Sequence, residues 1–254
     1  MKFFLAPMQG LTGYTVRNAF HHHFDYIDKY YTPFIPAAKR MNAKIKRDID
    51  PVNNDGITLI PQAMSIVADE VIDLHRQLVP YGYDEINVNL GCPSGTVVSK
   101  KRGSGILAYP DMLDSFLDEL YTKADFPVSI KTRVGFNDDE LWPRLIEIYS
   151  KYPISELTVH PRVQKDFYKN TPRMDDFALA MQKINPDKTT LCYNGDITDI
   201  NSFNALTDCF PDIDEIMIGR GLFANPALIA ELKGISMDKA ELRERLKNWH
   251  DEIL

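Results

Sequence analysis

Eight short β-rich apolar runs, alternating with amphipathic segments over 254 residues, predict an eight-stranded parallel (β/α)8 barrel of the TIM-barrel class. Three observations carry that prediction. The length suits one barrel of this kind, which typically takes about 250 residues. The runs are separated by helical periodicity rather than by hairpin turns. Polar and glycine residues stand at the C-terminal ends of seven of the runs, where barrels of this class place their active sites.

In order, the runs are residues 2–6, 25–30, 57–61, 85–89, 128–132, 156–160, 189–193 and 215–218. Between them, residues 67–79 place Val71, Leu74, Leu78 and Val79 on one helical face, and residues 141–149 and 177–184 repeat the pattern. Asp111 and Asp199 stand where helix N-caps belong. A doubly wound open sheet is the alternative fold, but the first run is not followed by the Gly-rich turn that such sheets carry. The barrel is expected to span residues 1–235. Residues 236–254 hold a charged helical stretch from 237 onward, either the eighth barrel helix or the start of a further helical domain.

Composition narrows the function classes. Apolar residues make up 44% and charged residues 26%, as in soluble globular proteins. No run is long enough to span a membrane, and the start MKFFLAPMQG lacks a signal peptide's length and cleavage site. The cytoplasm is the expected location and a monomer the default state. Cys92, Cys192 and Cys209 are far apart and form no CxxC pair, so neither a disulfide framework nor a zinc site is expected. Cys192 and Cys209 lie inside strand and helix patterns and read as small buried apolar residues. The tract His21-His22-His23 reads as an exposed helix end of no special role rather than a metal site. The net charge of −7 argues weakly against a nucleic-acid partner.

The unusual residues fall at the run ends. Pro7, Met8 and Gln9 follow the first run and Gln62 the third. Asn89 and Cys92 end the fourth, Lys131 and Arg133 the fifth, and His160 and Arg162 the sixth. Asn194-Gly195-Asp196 follows the seventh and Gly219-Arg220-Gly221 the eighth. Such a set reads as a ring around one pocket. The last two turns suit a phosphate held by backbone N–H groups, with Arg220 adding charge; equally, their glycines serve to close tight strand-to-helix turns.

Six segments resemble the tRNA-dihydrouridine synthases: LAPMQGLT at 5–12, INVNLGCPSGTVVSKKRGSG at 86–105, SIKTRVGF at 129–136, TVHPR at 158–162, YNGDI at 193–197 and MIGRGLFANP at 217–226. They run in order through nearly the whole barrel, and the segment around Cys92 is the most specific. The resemblance implies FMN as cofactor, with Pro7, Met8 and Gln9 flanking its ring and Gln62 on the ring's polar edge. Lys131 and His160 would contact the flavin, and Asn194, Gly195, Asp196, Gly219 and Arg220 would cradle its ribityl chain and phosphate. It implies tRNA as substrate, NADPH as reductant and Cys92 as the acid that protonates C5 of a uracil after hydride reaches C6. A thiol of ordinary pKa, about 8.5, is mostly protonated at neutral pH and suits that task. Asn89 and His160 stay open between the uracil carbonyls and the flavin edge. Pro161 departs from the small residue usual in the family.

Three basic clusters fall after runs two, four and six: Lys39, Arg40, Lys44, Lys46 and Arg47; Lys100, Lys101 and Arg102; and Arg162, Lys165, Lys169 and Arg173. With Asn89 and Arg133 they form the expected RNA-facing set, and Tyr168 beside the third cluster is a candidate for stacking on a base. The family adds a C-terminal helical domain that grips tRNA; a chain ending at residue 254 is expected to keep flavin and bind RNA weakly. Two other functions compete. One is an FMN-dependent reductase of a small pyrimidine or enone, which the basic loops disfavour. The other is a non-catalytic RNA-binding module, which Cys92, Lys131 and His160 disfavour.

Overall fold

Parallel strands covered by helices on their faces are built from nearly unbroken apolar runs, and the strands here follow that rule. The computed structural model describes residues 1–38 and 40–254; Lys39 of the first basic cluster lies outside the described residues. Among the described residues, ten strand segments are numbered β1–β10 and eleven α-helices α1–α11 in chain order. The chain forms two compact units.

The first unit holds residues 1–33, 42–60 and 196–254. Its strands are β1 (Lys2–Leu5), β2 (Lys29–Tyr31), β4 (Leu59–Ile60) and β10 (Glu215–Ile218). β1 pairs in parallel with β10 on one side and β2 on the other, and β2 pairs with β4. Phe4 and Leu5 are fully buried, as are Ile216 and Met217. Its helices are α1 (Tyr14–His23), α2 (Ala43–Ile49), α8 (Ile200–Cys209), α9 (Arg220–Ala224), α10 (Leu228–Leu232) and α11 (Lys239–Ile253).

The second unit holds residues 34–41 and 61–195. Its strands are β3 (Ile35–Pro36), β5 (Gln62–Met64), β6 (Ile86–Leu90), β7 (Val128–Gly135), β8 (Glu156–Val163) and β9 (Thr190–Tyr193), parallel in the order β3-β5-β6-β7-β8-β9. Its helices are α3 (Ala68–Leu78), α4 (Gly95–Val98), α5 (Pro110–Lys123), α6 (Trp142–Tyr149) and α7 (Met174–Lys183). α3 buries Val71, Ile72, Leu74 and Leu78, and α6 buries Trp142, Leu145, Ile146 and Tyr149. The fold class is the (β/α)8 barrel that the alternation predicts. No helix among the described residues is long and apolar enough to cross a membrane.

Several expectations change in detail. The third run breaks at Pro61, which has no N–H for the ladder, so β4 and β5 flank it as separate segments. The two-residue β3 is too short to carry a sequence period. β7 runs to Gly135 and β8 to Val163, so Arg133 and Arg162, expected just past their runs, lie within strands together with Lys131 and His160. Asp111 is not a cap: Pro110 starts α5 and Asp111 sits in its first turn. Asp199 does cap α8, its carboxylate accepting from the Ser202 amide at 2.8 Å. Val79 is exposed because α3 ends at Leu78. Cys192 is buried in β9, but Cys209, at the end of α8, is exposed. The histidine tract is not an idle helix end. His22 Nδ1 and His23 Nε2 each lie 2.8 Å from an oxygen of Glu252, which ties the end of α1 to α11. Phe20 of α1 packs edge-on against Trp249 of α11, with ring centroids 5.3 Å apart.

Candidate active site

Alternation along parallel strands puts every second residue on one face, and the register lines up polar side chains from four strands. Gln62 stands opposite Asn87, Asn87 opposite Ser129, Asn89 opposite Lys131, and Arg133 opposite His160. These groups bond one another in a relay. Asn87 Nδ2 donates to Ser129 Oγ at 3.0 Å, Gln62 Nε2 to Asn87 Oδ1 at 2.8 Å, and Asn89 Nδ2 to Gln62 Oε1 at 2.7 Å. The relay ends on the backbone: Asn89 Oδ1 accepts from the amides of Gly91 at 3.1 Å and Cys92 at 2.8 Å. A buried amide left unpaired costs about 1–3 kcal/mol, so each member holds the next in place.

Cys92 is pinned on its other side too. Its carbonyl accepts from the Ser104 amide at 3.1 Å and the Ser104 hydroxyl at 2.8 Å. Gly103 passes so close that a Cβ there would lie 2.7 Å from that carbonyl oxygen, at a φ of +54°. Burial pushes the Cys92 thiol up, against the pull of the Ser94 amide and of the Arg133 and Lys131 cations. The thiol therefore stays protonated at neutral pH.

Lys131 is half-buried, and no carboxylate pairs with it among the described residues. Burial, helped by the Arg133 cation, lowers its ammonium to about 7. Arg133 is buried, and its donors go to backbone: Nε to Gly91 O at 3.0 Å, one terminal nitrogen to Val163 O at 3.0 Å and the other to Phe167 O at 2.7 Å. Arg162 is buried and donates to the carbonyls of Lys169 and Asn170, and to His160 Nε2 at 3.2 Å. A guanidinium only donates, so His160 Nε2 accepts and a neutral His160 carries its proton on Nδ1.

This geometry revises the expected RNA-facing set. Arg133 and Arg162 hold loops together from inside rather than standing free at the surface. Asn89 is buried, with both ends of its amide engaged. Arg102 is half-buried on Glu70, at 3.1 Å. Lys100 and Lys101 are exposed, and Lys101 Nζ lies 4.4 Å over the Tyr109 ring.

The first unit holds the remaining predicted residues. The turn after β1 is closed by the Met8 amide donating to Thr12 Oγ1 at 2.9 Å and the Thr12 amide to Met8 O at 3.1 Å. Buried Arg17 braces it, donating to Thr12 O at 2.8 Å and to the Asn54 side chain. Pro7 and Met8 are half-buried and Gln9 is exposed. Gly219 precedes α9, beside Ala6 and Met8. Arg220 pairs with Asp196 at 2.5 Å. Gly221 backs onto the turn after β9: a Cβ there would fall 2.1 Å from Ile197 O. Asn194 and Gly195 close β9 in the second unit, with the Asn194 amide on Val159 O at 2.9 Å.

Sequence reading missed Asn87, Ser129, Ser104 and Arg17. The first two were within reach, because period-2 spacing from Asn89 and Lys131 puts them on the same face. Ser104 and Arg17 act through backbone contacts that no spacing announces.

The family model described as dihydrouridine synthase (Dus) matches residues 4–251. The chain is 27% identical over 263 residues to tRNA-dihydrouridine synthase B of Pasteurella multocida, covering 100% of this chain and 75% of that protein. It is 30% identical over 174 residues to tRNA-dihydrouridine synthase B of Escherichia coli, covering 68% of this chain and 53% of that protein. A probable tRNA-dihydrouridine synthase of Staphylococcus aureus is 34% identical over 59% of this chain and 46% of its own length. The chain thus spans three quarters of the first relative and about half of the other two. Among solved structures, a variant of NCR from Zymomonas mobilis superposes with a TM-score of 0.62 at 12% identity, over 98% of this chain and 90% of that one. Morphinone reductase superposes with a TM-score of 0.61 at 11% identity, over 95% and 88%.

Proposed function

Because this chain belongs to the dihydrouridine synthase family, we propose that it reduces the C5–C6 double bond of uridines in tRNA, using a flavin. The observation that carries the reading is the cysteine loop: a protonated, doubly anchored Cys92 at the end of a polar relay that shares its register with an unpaired Lys131. An unpaired, half-buried ammonium fits an anionic group, and reduced flavin is anionic at its N1–C2 edge.

FMN is the proposed cofactor and NADPH its proposed reductant; when bound and reduced, FMN supplies a hydride. Lys131 would hold the charge of the ring edge, with Gln62 and His160 beside it. Pro7, Met8 and Gln9 would flank the ring, and Asn194, Gly195, Asp196, Gly219 and Arg220 would hold the ribityl chain and phosphate. Cys92 gives its Sγ proton to C5 of the uracil as hydride reaches C6, and the thiolate is reprotonated from water. Partial burial of the thiol favours the neutral form before transfer, which is the form a general acid requires. His160, with its proton on Nδ1 and Nε2 held by Arg162, offers a donor at a fixed position. Lys100 and Lys101 would meet tRNA phosphates, and Arg102, Arg133, Arg162 and Asn89 would order the loops that receive the uridine.

The test starts with the absorbance spectrum of the purified protein and the mass of any released chromophore. A flavin spectrum and FMN are expected, and unmodified tRNA incubated with NADPH should gain dihydrouridine. Cys92→Ala should keep the flavin spectrum and lose about 10²–10⁴-fold in rate, the usual worth of a positioned acid. A colourless protein that takes up no FMN removes the proposal. Turnover of free uracil without turnover of tRNA replaces it with small-pyrimidine reduction.

A further inference from the structure

The loop after β8 exposes two adjacent aromatic rings that the proposed chemistry does not use. Phe167 is 47% exposed and Tyr168 50%. Single exposed apolar side chains are ordinary, but this pair is held out at a cost. Phe167 has φ 52° and ψ −98°, a backbone conformation that disfavours a bulky residue. Asn170, three residues on, has φ 61°. Strain of this kind persists only where surrounding bonds impose it.

Those bonds are present, and the Arg133, Arg162 and Asp166 side chains that make most of them are buried. Arg133 donates to Phe167 O at 2.7 Å, and the Phe167 amide donates to Gln164 O at 3.0 Å. Arg162 donates to Asn170 O at 2.6 Å. Buried Asp166 accepts from the Val163 amide, from Asn170 Nδ2 and from Arg173. The same loop is fastened to the cysteine loop on both sides of Cys92. Arg133 Nε donates to Gly91 O and Gln164 Nε2 to Pro93 O, both at 3.0 Å. The Arg133 guanidinium lies 5.8 Å from the Tyr168 ring centre, so a fixed cation lies under one of the two rings.

Exposed Lys165 and Lys169 bracket the aromatics in the order Lys-Asp-Phe-Tyr-Lys. Aromatic rings interleaved with cations are the chemistry of single-stranded nucleic-acid platforms: lysines take the phosphates, and ring faces take the bases. We infer that Phe167 and Tyr168 form a stacking platform for a nucleobase next to the uridine that reaches Cys92. This rests on the reading of RNA as substrate. A base flipped toward an enzyme leaves its neighbours unstacked, and a rigid aromatic surface tied to the cysteine loop compensates the neighbour.

The experiment uses an RNA oligonucleotide with 2-aminopurine beside the uridine, titrated at fixed salt into the wild type, Phe167→Gly and Tyr168→Leu. Stacking quenches the probe. Both variants are expected to lose quenching and about tenfold in affinity, in line with the loss of one stacked base. Glycine also relieves the positive φ, so Phe167→Gly should melt at or above the wild-type temperature with flavin uptake unchanged. Wild-type affinity and quenching in both variants overturn the platform, even if tRNA is reduced normally. A marked fall in melting temperature for Phe167→Gly also overturns it, because the ring is then structural. Ring-dependent quenching in a protein that reduces no tRNA keeps the platform and rejects the proposed reaction. Failure of the wild type to bind RNA rejects both.

Discussion

Lys131 shows what one half-buried charge does to a protein before any ligand arrives. Free in an unfolded chain its ammonium titrates near 10.4; here burial and Arg133 bring it to about 7. The native state therefore binds fewer protons than the unfolded state between about pH 7 and pH 10, so stability from this residue rises with pH across that window. Below pH 7 both states carry the charge, and the native state bears its full desolvation cost. Lys131→Met should accordingly raise the melting temperature of flavin-free protein at pH 6, with the gap closing toward pH 10. The same substitution should weaken flavin retention. A melting temperature for Lys131→Met that tracks the wild type at every pH would show that the ammonium is solvated. Cys92 makes the complementary point. Two cations beside it favour the thiolate, yet burial outweighs them and keeps the thiol protonated.

At the scale of elements, the first turn of α7 carries a similar conflict. Asp175 and Asp176 sit at the positive end of a helix, which should favour their charged forms. Burial, then Asp139 next to it, nevertheless raises Asp176 to about 7, and Arg173 recovers only part. Among the described residues, Asp176 Oδ2 has no hydrogen-bond partner. A raised carboxyl binds an extra proton in the native state between about pH 4 and pH 7, so its stabilisation is complete below about pH 4 and lost as pH rises through 7. Asp176→Asn keeps a donor toward Asp139 without the charge. It should melt above the wild type at pH 8, with the advantage shrinking steadily as pH falls toward 4; equal curves at every pH would show that the Asp176 carboxyl is not raised. Elements such as this were readable in part. The eight apolar runs announce the strands because burial on both faces demands them, and period 2 aligns Asn89, Lys131 and His160. Pro61 and the two-residue β3 were not readable as segment boundaries, since neither has length enough for a period. The exposure of Phe167 was equally hidden, because its positive φ is imposed by Arg133 and Asp166 rather than by a glycine.

For the molecule as a whole, a net charge of −7 and a polyanionic partner must be reconciled. Long-range attraction cannot supply the affinity, so it has to come from local contacts that outweigh the overall repulsion. In the second unit the exposed cations on the two loops fastened to each other around Cys92 are Lys100, Lys101, Lys165 and Lys169. Each phosphate contact contributes about 0.7–0.9 to the slope of log affinity against log salt. If these four make the contacts, RNA binding should fall with a slope of about −3. Replacing Lys165 and Lys169 together with Gln should reduce that slope by about 1.5, without touching the flavin spectrum. Stacking on Phe167 and Tyr168 is uncharged and should leave the slope alone while lowering affinity at every salt concentration. The two kinds of variant therefore separate on one plot: lysine changes rotate the line, and aromatic changes shift it in parallel. A slope near zero in the wild type would show that phosphate contacts contribute nothing and leave the aromatic pair as the larger share of recognition in this unit.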